Sequence, residues 1–97
     1  MKITKKQAKK LGNLYNIDFD VVNFEEFYDG LNIELEHGSL FGKITNVTNN
    51  SLDKTAQITI AHLIEDPKYY FYLKKLEKDR DTYYKTHNKP CIFKNIS

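Results

Sequence analysis

At 97 residues and 40% hydrophobic content, the chain carries enough apolar material for one core and too little length for two ordinary domains. Fifteen basic against thirteen acidic residues leave a formal charge of +2, too balanced to imply nucleic acid or a lipid surface by itself. Charges interrupt every apolar stretch well short of the ~18 residues that a membrane span requires, so no membrane association is expected. The single cysteine, Cys91, cannot close an internal disulfide, and the opening MKITKK lacks the apolar run of a secretory leader, so a reducing, cytoplasmic location is expected.

The pattern predicts an all-α fold: a compact four-helix domain over residues 1–86, with a long loop between the second and third helices and an extended tail over 87–97. Thr4 and Gln7 have capping-box spacing and open a first helix over 4–16. Its inner face is Ala8, Leu11, Leu14 and Tyr15, and its outer face carries Lys5, Lys6, Lys9 and Lys10. Residues 17–22 alternate apolar and acidic and read as an extended connector. Asn23 with Glu26 signals the start of a second helix over 24–37, in which Phe24, Phe27, Tyr28, Leu31 and Leu35 form one face. Gly30 leaves an edge of that helix open to close approach by a neighbour. Gly38 supplies a helix stop, and residues 39–50 read as a polar loop.

Ser51 caps a third helix over 52–65. Its β-branched Thr55, Ile58, Thr59 and Ile60 would also suit a strand, and Ala56, Ile60, Leu63 and Ile64 share a face opposite Ile58 and Ala61. Such a helix should be covered on more than one side. Asp66-Pro67 pairs a cap with a first-turn proline and starts a fourth helix over 67–86, with Tyr69, Tyr72, Leu73, Leu76, Arg80, Tyr83 and Tyr84 directed inward.

Two histidines occur in mirrored pairs, Glu34 with His37 and His62 with Glu65. The i, i+3 spacing sets each pair on one helix face. Together with Glu77 these residues resemble the imidazole and carboxylate donors of metal sites inside helical bundles, where iron, manganese or zinc would be the metal. The reversed order of the second pair departs from that pattern. The competing reading, which the residues favour, is a hydrogen-bonded lock between helices. Cys91 with His87 could suggest a nucleophile and base, but a spare thiol is far commoner, and no phosphate loop or Gly-x-Ser-x-Gly motif is present, which leans against an enzyme. The tyrosines Tyr69, Tyr70, Tyr72, Tyr83 and Tyr84 are too many for so small a core, so some should form a surface for a protein partner or self-association. A weaker expectation is nucleic-acid contact through Lys5, Lys6, Lys9 and Lys10.

The segments GLNIELEHG (30–38), TNVT (45–48) and AHLIEDPKYY (61–70), with Leu73 and Glu77, resemble a small family catalogued only as a domain of unknown function, across residues 6–78. Its members are short proteins of phages, large DNA viruses and bacteria. The resemblance carries no activity, cofactor or catalytic residue. It implies a viral or phage-type accessory or structural protein that binds another macromolecule in the host cytoplasm or the virion, which the lysine-, asparagine- and isoleucine-rich composition would suit. A metal-binding or redox role for the histidine pairs is the alternative.

Overall fold

The computed structural model describes residues 2–35, 51–90 and 92. Within them lie four helices and no strand: α1 (Lys5–Leu14), α2 (Phe24–Glu34), α3 (Leu52–Glu65) and α4 (Tyr69–Tyr83). The all-α expectation therefore stands. The expected stop at Gly38, the polar loop over 39–50 and most of the tail lie outside the described residues.

Local chemistry sets the starts of the first three helices. At α1 the Thr4 hydroxyl accepts from the Gln7 amide while the Gln7 side chain accepts from the Thr4 amide, completing the capping box. The helix closes through Asn16, whose φ of 57° lies in the left-handed region. Amides of Asn16 and Ile17 then bond back to the carbonyls of Asn13 and Gly12, a Schellman closure that asparagine tolerates better than most residues. Asn23 caps α2 by accepting from the Glu25 amide at 2.8 Å, and Ser51 caps α3 by accepting from the Lys54 amide.

The helix α2 is the hub of the packing and meets each of the other three. Phe27, Gly30, Leu31 and Glu34 are buried along it, and Ile3, Ala8, Leu11, Ala56, Leu63 and Tyr70 close the core around it. Ile3 is pinned to α2 by Asn32, whose side-chain oxygen accepts from the Ile3 amide at 2.8 Å and whose side-chain nitrogen donates to the Ile3 carbonyl at 3.1 Å. One side chain thus satisfies both backbone groups of a buried residue ahead of the first helix.

Several sequence expectations are corrected. The connector over 17–22 turns instead of extending: the Asp18 carbonyl accepts from the Val21 and Val22 amides, and Phe19 folds back over Gly12. Leu14 and Ile64 are exposed, although periodicity set both on inner faces. The buried face of α3 is Thr55, Ala56, Thr59 and Leu63, a set of small side chains that lets α2 approach. Thr59 remains compatible with burial because its hydroxyl donates to the Thr55 carbonyl at 2.9 Å.

The start of α4 differs most. Asp66 and Pro67 form a turn, with the Asp66 side chain accepting from the Lys68 amide and its carbonyl from Tyr69, so the helix begins at Tyr69 and not at 67. No local side chain caps it. Instead the Glu26 carboxylate of α2 accepts from the Tyr70 amide at 2.5 Å and the Phe71 amide at 3.0 Å. Glu26 therefore caps the fourth helix and not its own. The inner face of α4 is rotated from the expected stripe: Tyr70 is wholly buried and Tyr69, Leu73 and Tyr84 are partly so, whereas Tyr72, Leu76, Arg80 and Tyr83 are exposed. The cause is the notch at Gly30, where an added Cβ would stand 2.6 Å from Cδ2 of the Tyr70 ring and 2.9 Å from Cγ2 of Thr59.

Gly30→Ala is expected to force these neighbours apart and cost about 1–3 kcal/mol. Thermal denaturation followed by circular dichroism checks this, with an expected fall in Tm of several degrees per kcal/mol. An unchanged Tm would show that the notch adapts freely.

Candidate functional site

The sequence singled out Glu34, His37, His62, Glu65 and Glu77, and the fold joins three of these around an unforeseen fourth residue, Tyr70. Glu34 lies in the last turn of α2, faces the core and keeps only 3% exposure. The Tyr70 hydroxyl donates to Glu34 Oε2 at 2.6 Å across the α2–α4 contact. A charge-assisted hydrogen bond of this kind contributes about 1.5–3 kcal/mol and removes much of the cost of burying the carboxylate. Burial first, and then the hydrogen bond to and the charge of Glu34, push the Tyr70 hydroxyl well above the ordinary phenol range.

His62, in the last turn of α3, lies between two carboxylates. Its Nε2 is 3.6 Å from Glu34 Oε2, and its Nδ1 is 3.6 Å from Glu65 Oε2. Both separations exceed hydrogen-bond length and suit ion pairing when the imidazole is charged. The ring stacks on Tyr69 with centroids 4.2 Å apart and meets the edge of Tyr70 at 6.2 Å. Tyr69 is also raised in pKa, by burial and then by the charges of Glu34 and Glu65. The result is a polar seam along the helix ends, Tyr70–Glu34–His62–Glu65, with Tyr69 as its lid.

This geometry bears on the metal expectation. A shared ion needs donor atoms converging on one point at about 2.0–2.2 Å, but the two His62 nitrogens aim at different carboxylates on opposite sides of the ring. Glu77 is engaged elsewhere, 3.5 Å from the Arg80 guanidinium on its own helix. Among the described residues, no group of three or more His, Cys, Asp or Glu side chains is arranged to hold a metal ion. His37 lies outside the described residues, as does Cys91. Among the described residues, the hydrogen bond that joins the helices here is the one from Tyr70 to Glu34, a donor that residue spacing did not reveal, while His62 adds ion-pair distances of 3.6 Å in place of the expected hydrogen bonds. The only sequence signal for Tyr70 is Gly30, one turn before Glu34, which makes room for a large ring beside an otherwise unexplained carboxylate.

The remaining candidates separate. Tyr70 leaves the proposed interaction surface, because it is core. Tyr72 and Tyr83 are each 53% exposed, Tyr69 and Tyr84 are partly buried, and Tyr83 stacks on His87 at 4.0 Å. On α1, Lys5, Lys6, Lys9 and Lys10 are all exposed, with Lys5 tied to Glu25 at 3.2 Å. A cleft of about 410 Å³ opens between the starts of α2 and α4, walled by Val21, Pro67 and Phe71. Its carboxylates are already engaged: Glu25 by Lys5, Glu26 by the α4 amides and Asp29 by Lys74.

Two measurements test the seam. Because the folded-state pKa of Tyr70 is raised above its unfolded value, its contribution to stability is complete below about pH 10 and is lost as pH rises beyond it. Stability should therefore fall above about pH 10, and Tyr70→Phe should flatten that fall while lowering stability at neutral pH; an identical alkaline limb in the variant would remove Tyr70 as its cause. Chelator should leave the Tm of the wild-type chain unchanged and His62→Gln should retain most of its stability, since the lock needs no imidazole donor to a metal. A chelator-dependent fall in Tm that disappears in His62→Gln would instead establish a metal.

Neither the curated proteins nor the solved structures yield a match to this chain. A family model, described as a protein of unknown function (DUF5661), matches residues 8–79, from the first turn of α1 to the later part of α4. The match takes in every member of the Tyr70–Glu34–His62–Glu65 seam and about three-quarters of the chain, and the chain belongs to the DUF5661 family.

Proposed function

We propose that this chain is a small helical accessory or structural protein, of viral or phage type, that works by binding another macromolecule through the exposed side of α4. The observation that carries this reading is a ridge in which Tyr72, Leu76 and Tyr83 are 53%, 65% and 53% exposed and lie in line along one helix. Their spacing of four and seven residues sets the three side chains on one side of the helix, with the exposed Asp79 between Leu76 and Tyr83. Isolated exposed apolar residues are ordinary, but exposed tyrosines aligned on one helix are a residue type enriched where binding energy concentrates.

The seam beneath serves this role by fixing the helix. Tyr70 and Tyr69 are held on the inner side by Glu34 and His62, which leaves the opposite side of α4 to face outward in one orientation. The polar seam is architecture in this reading, and neither a metal nor a redox group is required. Binding of nucleic acid through α1 is the competing use of the surface.

Photocrosslinking in the producing cell tests the assignment. A benzophenone side chain at Leu76 should give discrete adducts with another macromolecule, while one at Lys9 should give few. Adducts confined to position 9 and consisting of nucleic acid would replace the α4 reading with the α1 one, and adducts at neither position would remove both.

A further inference from the structure

Resting on the assignment of the α4 ridge as a binding surface, we infer that the chain's own tail, residues 88–94, folds back along α4 and covers this ridge in the free protein. A macromolecule must then displace the strap to bind. Residues 91 and 93–97 lie outside the described ones, and the residues before them lead toward the ridge. At the end of α4 the Thr82 and Tyr83 carbonyls accept from the Lys85 and Thr86 amides in tight turns. The His87 ring then lies flat on Tyr83, with centroids 4.0 Å apart and 4° between the planes. The first residue of the tail is thus seated on the last residue of the ridge. Residues 88–90 carry neither helix nor turn, and Pro90 holds itself and Lys89 in extended backbone.

The stack on Tyr83 sets the register. A strap of polyproline geometry rises about 3.1 Å per residue, and α4 about 1.5 Å. Running back from Tyr83, Lys89 comes level with Asp79, Ile92 with Tyr72, and Lys94 with Tyr69. Lys89 and Ile92, three residues apart, share a face of such a strap. A groove of about 350 Å³ lies along this path, lined by Asp66, Tyr69, Tyr72, Leu73 and Leu76. The charges of the surface select the strap as occupant. Asp79 is exposed and has no ion pair among the described residues, and Asp66 brings a second carboxylate to the far end of the groove. The ridge is therefore apolar between two carboxylates ~20 Å apart along the helix. The tail carries Cys91, Ile92 and Phe93 between two lysines, Lys89 and Lys94, ~16 Å apart, and the long lysine side chains span the difference. Helical projection sets Lys68 and Lys75 on the flank of the ridge opposite the groove, while Arg80 is held by Glu77 and Asp81. Closure removes Ile92 and Leu76, 88% and 65% exposed, from water. A second copy or a separate protein would need the same lysine-apolar-lysine pattern without the tether, which supplies an effective concentration on the order of millimolar.

Cys91 is the only cysteine of the chain, so a nitroxide attached to it reports on the strap in the full-length protein. Amide resonances of Tyr72, Leu76 and Asp79 should lose most of their intensity, while those of Lys6 and Lys9 keep theirs. Lys89→Glu changes an exposed side chain and should raise the open-to-closed ratio about threefold or more, returning intensity to Leu76 and Asp79. Asp79→Lys/Lys89→Glu, which exchanges the two charges, should bring the broadening back. In the producing cell, a benzophenone at Leu76 should give several times more adducts in a Lys89→Glu/Ile92→Asp chain than in the unaltered one. Unbroadened Tyr72 and Leu76 amides, or broadening that Lys89→Glu leaves unchanged, would overturn the strap. So would broadening of an isotope-labelled Cys91→Ser chain by a nitroxide on a second chain, which would make another copy's tail the occupant. Broadening with no adducts at position 76 in either chain would uphold the strap and remove the ridge's macromolecular partner. Adducts at position 76 without broadening would keep the ridge assignment and overturn the strap alone.

Discussion

The hydrogen bond from Tyr70 to Glu34 is the constraint on which the rest of the molecule depends. A carboxylate in the last turn of α2 is removed from water, and the phenol that meets it comes from the first turn of α4. The bond forms only because Gly30, one turn earlier on α2, leaves space for the ring. Three residue choices therefore act together: a missing side chain, a buried acceptor and a donor long enough to reach it. Removing the donor takes a charge-assisted hydrogen bond from a buried carboxylate, a larger loss than the same change would cause at the surface.

That one contact sets the rotation of α4 about its own axis. With Tyr70 directed inward, Leu73 and Glu77 follow it on the inner side and the Tyr72–Leu76–Tyr83 edge is carried outward. His62 completes the arrangement from α3 by stacking on Tyr69 and lying between Glu34 and Glu65. The polar interior and the apolar exterior of α4 are thus two sides of the same placement. A core that used an aliphatic residue in place of Tyr70 would have no comparable reason to prefer one helix rotation over a neighbouring one.

The helices were legible wherever their signals were local. Thr4, Asn23 and Ser51 each cap the helix that follows, and the apolar face of α2 matches its period because that helix is covered by all the others. Legibility failed where the deciding partner lies far along the chain. The aromatic spacing on α4 has two nearly equivalent solutions, and only the Gly30 notch and the Glu34 acceptor choose between them, from about forty residues away in sequence. Of the candidate site, Glu34, His62 and Glu65 were readable from their spacing, but Tyr70 was hidden among five tyrosines that composition cannot rank. Ile64 shows the complementary failure: it satisfies the helical period of α3, yet α3 presents its small Thr55, Ala56 and Thr59 to α2 and leaves the isoleucine in solvent.

The capping of α4 by Glu26 also shapes how the chain reaches its native state. Helix nucleation is the expensive step, and a helix whose first amides are satisfied locally can begin it alone. For α4 that satisfaction comes from a carboxylate 44 residues earlier, so its first turn gains its cap only once α2 is formed and the two have met. Closing so long a loop is slow relative to forming a helical turn. The ridge is therefore coupled to the core, because the contact that caps α4 is also one that holds it against α2.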